Sequence, residues 1–98
     1  MELPHVLELL RGAEQDIRAL GVEHLFVFGS TVRGEARADS DVDMFVDRDG
    51  SSRFGFMELT NLQFMLEELL GAEVDIGTRA GLHPVLREQI EREAVRVF

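Results

Sequence analysis

Apolar residues in the first fifth of the chain recur at steps of three and four, and charged residues occupy the positions between them. This period is typical of an amphipathic helix that buries one face. Gly21 follows, where a left-handed glycine commonly ends a helix. The pattern predicts one helix from Leu3 to Leu20. Its apolar positions are Leu3, Val6, Leu7, Leu10, Ala13, Ile17 and Leu20.

Two strands are predicted next. The unbroken apolar run from Leu25 to Phe28 indicates a buried strand. The segment from Asp41 to Asp47 alternates, because Asp41, Asp43, Phe45 and Asp47 fall on one side and Val42, Met44 and Val46 on the other. Between these strands, residues 31–40 are small, polar and charged, which predicts a turn or helical turn and a loop. A second polar loop is predicted from Arg48 to Gly55.

The second half predicts a helix, a strand and a helix. The first helix runs from Phe56 to Leu70 and ends at Gly71, and the strand runs from Glu73 to Gly77. The last helix begins at Pro84, whereas residues 95–98 either continue it or form a short edge strand. This order predicts an α+β fold, with a mixed sheet of three or four strands flanked by helices. We expect a single domain over residues 1–98.

The helix from Phe56 to Leu70 is apolar over more of its circumference than a one-sided surface helix needs. Two interpretations stay open. The helix lies between the sheet and the first helix, or another chain covers part of its apolar area. The surplus positions are Phe56, Met57, Phe64 and Met65.

Composition narrows the functional classes. Ten Lys+Arg against nineteen Asp+Glu give a net charge of −9, and such a surface repels nucleic-acid backbones. The absence of cysteine excludes disulfides, thiol catalysis and thiolate metal sites. No apolar run approaches the ~20 residues that span a bilayer, and the start of the chain lacks the basic residues of a signal peptide. We therefore expect a cytoplasmic protein without a direct nucleic-acid or membrane partner.

Chemistry concentrates between Gly29 and Asp47. Gly29-Ser30 directly follows a buried strand, where a glycine lets backbone N–H groups approach an anion and a serine hydroxyl adds a donor. By itself this dipeptide is more typical of an ordinary turn. All ten basic residues are arginine, so a lysine cannot bind phosphate here.

Two carboxylates follow in Asp41-x-Asp43. Residues two apart on a strand share a face and lie roughly 6 to 7 Å apart. Like charges at this distance repel unless a cation lies between them, and carboxylate oxygens suit Mg²⁺ or Mn²⁺. Asp75 stands alone between two apolar residues, so it lies at a strand edge, caps a turn, or joins the other two on one face. Three carboxylates together would frame a site for two divalent ions.

The joint order of these features is more specific than any one of them. A buried strand, Gly29-Ser30, Arg33-Gly34, the segment from Ser40 to Asp43 and the single Asp75 follow one another along the chain. This order resembles the signature of the minimal nucleotidyltransferases, the MNT branch of the DNA polymerase beta superfamily. The leading helix and the closing segment 82–94 also occupy the expected places, so the resemblance spans nearly the whole chain.

The resemblance implies a role for each position. Gly29 and Ser30 would hold the triphosphate, Asp41 and Asp43 would coordinate Mg²⁺, and Asp75 would complete the metal site or help to deprotonate the acceptor hydroxyl. The implied reaction transfers AMP from ATP to a hydroxyl group. Family members are similar to antitoxins that act with HEPN-domain toxins, in some cases by adding AMP to a toxin tyrosine.

Several alternatives stay open. If residues 30–33 are helical, Arg33 lies one turn after the Gly-Ser bend, where its guanidinium either reaches a phosphate or pairs with Glu35 or another acidic neighbour. Arg37 and Arg79 are weaker candidates, since both suit ordinary surface positions. The protein could also neutralise a toxin by binding alone, or modify a small hydroxylated molecule. The three histidines show no metal-ligand spacing; they are His5, His24 and His83.

Overall fold

The computed structural model describes residues 1–50 and 54–98. After two N-terminal helices, strands and helices alternate along the chain, with a short 3-10 turn at Arg79–Gly81 before the last helix. The helices are α1 Leu3–Gly12, α2 Glu14–Ala19, α3 Ser30–Arg33, α4 Phe56–Leu70 and α5 Arg87–Glu93, and the strands are β1 Val22–Phe28, β2 Val42–Arg48, β3 Val74–Thr78 and β4 Val95–Arg96.

The four strands form one mixed sheet in the order β3-β2-β1-β4. β2 pairs antiparallel with β1 and parallel with β3, and β4 pairs antiparallel with the other edge of β1. The predicted α+β class and mixed sheet are therefore confirmed. Of the two possibilities for residues 95–98, the structure shows the short edge strand. The predicted loop from Arg48 to Gly55 includes residues 51–53, which lie outside the described part of the chain.

The prediction of one continuous N-terminal helix is wrong. The chain breaks at Ala13, whose φ of −105° and ψ of 12° are not helical and whose N–H donates to the carbonyl of Leu10 at 3.1 Å. Gly12, a weak helix former, ends α1 immediately before the break. The break redirects the chain, so that α1 packs against α4 whereas α2 packs against β1. The last helix also starts later than predicted, at Arg87 rather than at Pro84.

The hydrophobic core lies between one face of the sheet and the helices. Val42, Met44 and Val46 of β2 are buried there, as the alternating pattern predicts. Phe45 points to the other face, yet it is also fully buried. The Phe26 ring stacks on it at 4.7 Å between centroids, and Phe28 lies against it at 5.8 Å. The second face of the sheet is thus covered locally by aromatic rings.

Helix α4 has the predicted bounds. The Glu58 carboxylate accepts the N–H of Gly55 at 3.0 Å at its start, and Gly71, with φ of 65°, ends it. Leu62, Leu66 and Leu70 are buried, and Met65 packs against the core. The interpretation that the helix lies between the sheet and the first helix is confirmed, because α4 contacts both α1 and β3. Coverage by another chain stays a prediction, and a second apolar group does face outward. Its members and their exposures are Phe56 at 81%, Met57 at 63% and Phe64 at 64%.

Across the two described ranges, no helix combines the length and the apolar character that crossing a bilayer requires.

Candidate functional site

The Gly29 turn connects β1 to α3. Its backbone has φ of 78° and ψ of −151°, a conformation that residues with side chains rarely adopt. A Cβ placed on Gly29 would overlap the Oδ2 atom of Asp43. The glycine is therefore required twice, once for its backbone angles and once for the close approach to this carboxylate.

Asp43 and Asp75 lie side by side. They occupy paired positions of the parallel strands β2 and β3, and directly paired residues of neighbouring strands point to the same face. This register places Asp75 on the same face of the sheet as Asp43, on the edge strand β3. Asp41 directly precedes β2, two residues before Asp43.

Electrostatics couples the three aspartates. Burial raises the pKa of Asp43, and the negative charges of Asp75 and then Asp41 raise it further. Two like charges close to a third make its ionised form less favourable. The structure therefore brings together the carboxylates that the sequence singled out, and their mutual repulsion makes the site attractive to a cation.

The sequence patterns did not predict a fourth carboxylate beside these three, that of Glu73. A hydrogen bond with Asp41, and then the Asp41 charge, raise the pKa of Glu73. Glu73-x-Asp75 repeats the spacing of Asp41-x-Asp43, and β2 and β3 pair with the same offset of 32 residues. The repeated spacing is the signal that could have identified Glu73.

The donor set suits a hard divalent ion, because it consists of carboxylate oxygens only. Among residues 1–50 and 54–98, however, no group of three or more His, Asp or Glu side chains is arranged to hold a metal ion as it stands. Asp41 interacts with Glu73 as well as with Asp43. The carboxylates are near one another, and closing them around an ion requires side-chain rotation.

Arg33 ends α3 and is held by two carboxylates. Its Nε donates to Glu35 at 2.5 Å, and its Nη1 donates to both oxygens of Glu93 at 2.9 and 3.0 Å. These hydrogen bonds, the Glu35 contact first, raise the pKa of Arg33. Glu93 also accepts the N–H of Gly29 at 3.1 Å. Sixty residues separate Glu93 from Arg33, and no local pattern indicates this contact.

Arg79 is not an ordinary surface arginine. Its guanidinium lies 4.9 Å from the ring centroids of both Phe26 and Phe45. It donates twice to Asp47, at 2.7 and 3.0 Å, and once to Glu91 at 2.6 Å. Arg79 therefore joins β2 to α5 over the aromatic rings.

The remaining weaker candidates show no site. Arg37 is exposed, and its backbone N–H donates to Ser40 Oγ at 2.9 Å. His5 and His83 are exposed, and His24 is half-buried with its ring in an edge-type contact with the Phe26 ring.

A family model and the curated relatives of this chain point to the same protein family. Residues 7–97 match the family model described as "Nucleotidyltransferase domain". Among curated proteins, the protein adenylyltransferase MntA of Thermococcus cleftensis is 37% identical over 99 residues. That alignment covers 99% of this chain and 97% of the relative.

Solved structures show the same fold. One, provisionally described as a minimal nucleotidyltransferase, is 39% identical with a TM-score of 0.73, covering 97% of this chain and 95% of the other. A toxin-antitoxin structure with AMP-PNP has a TM-score of 0.72 at 19% identity, covering 90% and 72% of the two chains. A tri-AMPylated Shewanella oneidensis HEPN toxin complexed with MNT antitoxin has a TM-score of 0.66 at 17% identity, covering 94% and 71%.

Proposed function

Because the chain belongs to the nucleotidyltransferase domain family, we propose that it transfers AMP from ATP to a hydroxyl group of a HEPN-domain toxin and thereby acts as an antitoxin. The proposed acceptor is a toxin tyrosine, and the proposed metal is Mg²⁺, bound as two ions, with Mn²⁺ as a substitute. A protein of this length and composition would carry out the reaction as one domain over residues 1–98.

The observation that carries this proposal is the contact between the Gly29 turn and Asp43. Backbone N–H groups at such a turn suit phosphate oxygens, whereas carboxylates suit a metal ion. Here the two lie so close that a Cβ on Gly29 would overlap the Asp43 carboxylate. A phosphate held at the turn would therefore be adjacent to a metal held by the carboxylates.

Each proposed role follows from position. The Gly29 N–H, the Ser30 hydroxyl and Arg33 would bind the triphosphate, since they lie on the same short turn and helix. Asp41, Asp43 and Asp75 would hold the metal, which when bound supplies positive charge to neutralise the phosphates. An acidic protein could then bind an anionic nucleotide despite its net charge of −9.

The reaction balances as a displacement at phosphorus. The acceptor oxygen forms a bond to the α-phosphorus of ATP, while the bond from that phosphorus to the bridging oxygen breaks and pyrophosphate leaves. The proton of the acceptor hydroxyl passes to a base. Asp75 is suited to take it, because it is exposed on the edge strand β3 and borders the other carboxylates.

Two features support a protein acceptor. The exposed residues Phe56, Met57 and Phe64 form an apolar group on one helix, of the kind that partner proteins cover. The net charge of −9 favours a basic partner, such as a protein that acts on RNA. The sequence relative MntA, named as a protein adenylyltransferase, supports the same class of acceptor.

The test is transfer of labelled AMP from ATP to the purified partner toxin. The double variant Asp41→Asn, Asp43→Asn should lose transfer by at least about 100-fold, the range expected when an electrostatic element of a site is removed. Asp39→Asn serves as the matched control, because it removes a negative charge from the exposed loop just before β2. Transfer unchanged in the double variant would refute the assigned site.

A second candidate function is neutralisation by binding alone, which the exposed apolar group on α4 favours. Cell survival during co-expression with the toxin separates the two. If the double variant binds the toxin and still protects cells, masking is the activity. If it binds without protecting, the AMP transfer is required.

Omitting Mg²⁺ from an ATP titration should abolish nucleotide binding, and strong binding without metal would contradict the proposed metal role.

A further inference from the structure

Glu93 lies where the proposed phosphate contacts converge. Its carboxylate accepts the Gly29 N–H at 3.1 Å and two contacts from Arg33 Nη1 at 2.9 and 3.0 Å. A backbone N–H at a glycine turn and an arginine are also the donors that a phosphate group would use. One acidic side chain therefore uses both donors at once.

The chemical match is one of charge and shape. A carboxylate and a phosphate both present negatively charged oxygens that accept several hydrogen bonds. Arg33 is paired with Glu35 as well, so its positive charge is already balanced before an anion arrives. A nucleotide phosphate that reaches Gly29 and Arg33 must compete with Glu93.

The backbone beneath Glu93 is fixed. Glu93 is the last residue of α5, and β4 follows two residues later, paired with β1. The N–H of Val97 donates to the carbonyl of Leu25 at 2.8 Å, and Glu91 is held by Arg79 at 2.6 Å. With both sides anchored, rotation of the Glu93 side chain is enough to free the two donors.

We propose that Glu93 is an internal substitute for the nucleotide phosphate, which keeps the Gly29 turn and Arg33 in place and is displaced when ATP binds. This inference rests on the proposed function, since it takes the Gly29 turn and Arg33 as the phosphate site. Glu93 is then a positioning residue that sets nucleotide affinity, and it takes no part in the chemical step.

The experiment is calorimetric titration of ATP with Mg²⁺ into the wild type, Glu93→Gln and Glu88→Gln. Glutamine keeps the size of residue 93 but removes its charge, so ATP should bind about two- to fivefold more tightly, the range set by a partly exposed ion pair. Glu88→Gln is the matched control, because it removes the same charge from the same helix in an exposed pair with Arg92. It should leave the dissociation constant unchanged.

A second readout is the amide resonance of Gly29, and its first comparison needs no ATP. The Gly29 amide resonance should move in Glu93→Gln without ligand, and in the wild type when ATP is added. Equal ATP affinity in all three proteins, or weaker binding by Glu93→Gln, would overturn the inference and leave the proposed function intact. A Gly29 resonance indifferent to residue 93 would also overturn it. If none of the proteins binds ATP, the proposed function fails and the inference fails with it.

Discussion

At the scale of single residues, two features define the candidate site: aspartates that repel one another, and a glycine that lets one of them approach the backbone turn. Asp43 is partly buried and adjoins two other aspartates, an arrangement that costs stability unless a cation compensates it. Gly29 permits this carboxylate to approach the turn. Such costs are typical of functional sites and are rarely kept where packing alone matters.

Replacing Gly29 by alanine should destabilise the protein by about 1–3 kcal/mol, because of the positive φ and the overlap with Asp43. ATP binding should fall as well. Urea denaturation and calorimetry measure the two effects. Gly12→Ala is the matched control, since a Cβ there meets no atom within 4 Å and should stabilise the end of α1 by up to about 1 kcal/mol.

Removing the Asp43 charge should stabilise the metal-free protein at neutral pH. The pKa of Asp43 is raised in the folded chain, so its contribution to stability is present below its ordinary value of 3.8 and is lost as pH rises through the folded pKa. Asp43→Asn should therefore be more stable at pH 7, by up to about 1 kcal/mol.

The difference between Asp43→Asn and the wild type should shrink as the pH falls toward 3.8. Denaturation curves over this pH range, measured in a chelator, report it. Equal stability of the two proteins at every pH would contradict the repulsion inferred for this site.

At the scale of elements, the site depends on how β2 is held on both of its faces. Buried valines and Met44 fix one face against the helices, whereas Phe45 is covered on the other by Phe26 and Arg79. Arg79 also bonds Asp47 of β2 and Glu91 of α5. It therefore fixes the position of the helix that carries Glu93.

Arg79→Lys should cost about 1–2 kcal/mol, because lysine keeps the charge but lacks the planar guanidinium that bonds Asp47 twice while it lies on the rings. Arg92→Lys, in an exposed pair, should change stability by less than about 0.5 kcal/mol. Chemical denaturation compares them.

The cost of Arg79→Lys should also depend on pH. Hydrogen bonds from Arg79 lower the pKa of Asp47, so this stabilisation is present above 3.8 and is lost as the pH falls through the folded pKa. An equal cost for Arg79→Lys at neutral and strongly acidic pH would show that the ion pair contributes nothing.

At the scale of the whole molecule, the last residues complete the core that the first helix begins. Val97 and Phe98 are buried, and the guanidinium of Arg18 in α2 lies 4.5 Å from the Phe98 ring centroid. Arg11 of α1 donates to the Val97 carbonyl at 2.9 Å. The N-terminal helices and the final strand therefore stabilise each other.

Phe98→Ala should destabilise the protein by about 3 kcal/mol, the usual cost of truncating a buried phenylalanine, and lower Tm by at least roughly 10 °C. Phe56→Ala is the control, since its side chain is 81% exposed and should be neutral for folding. Thermal unfolding measures both. A similar Tm for the two variants would show that residue 98 is not part of the core.

Local patterns in the chain were enough to predict several of its features. The period of α4 and its terminating Gly71 predicted that helix to the residue, and the alternation around Met44 predicted the face of β2 that is buried. The Gly-Ser turn and the Asp-x-Asp spacing marked the candidate site. Periodicity and turn chemistry depend only on residues that are neighbours in the chain, so the linear order of the amino acids already contains them.

Contacts between residues that are far apart in the sequence were decided only by the tertiary structure. The register of β2 against β3 places Asp75 beside Asp43, and the path of α5 brings Glu93 to Arg33 across sixty residues. The same packing places the guanidinium of Arg79, a residue expected at an ordinary surface position, over the rings of Phe26 and Phe45. The break at Ala13 belongs here too, because the two halves of the predicted helix pack on different partners. Contacts between distant segments leave no periodic trace in the chain, so they follow from packing alone.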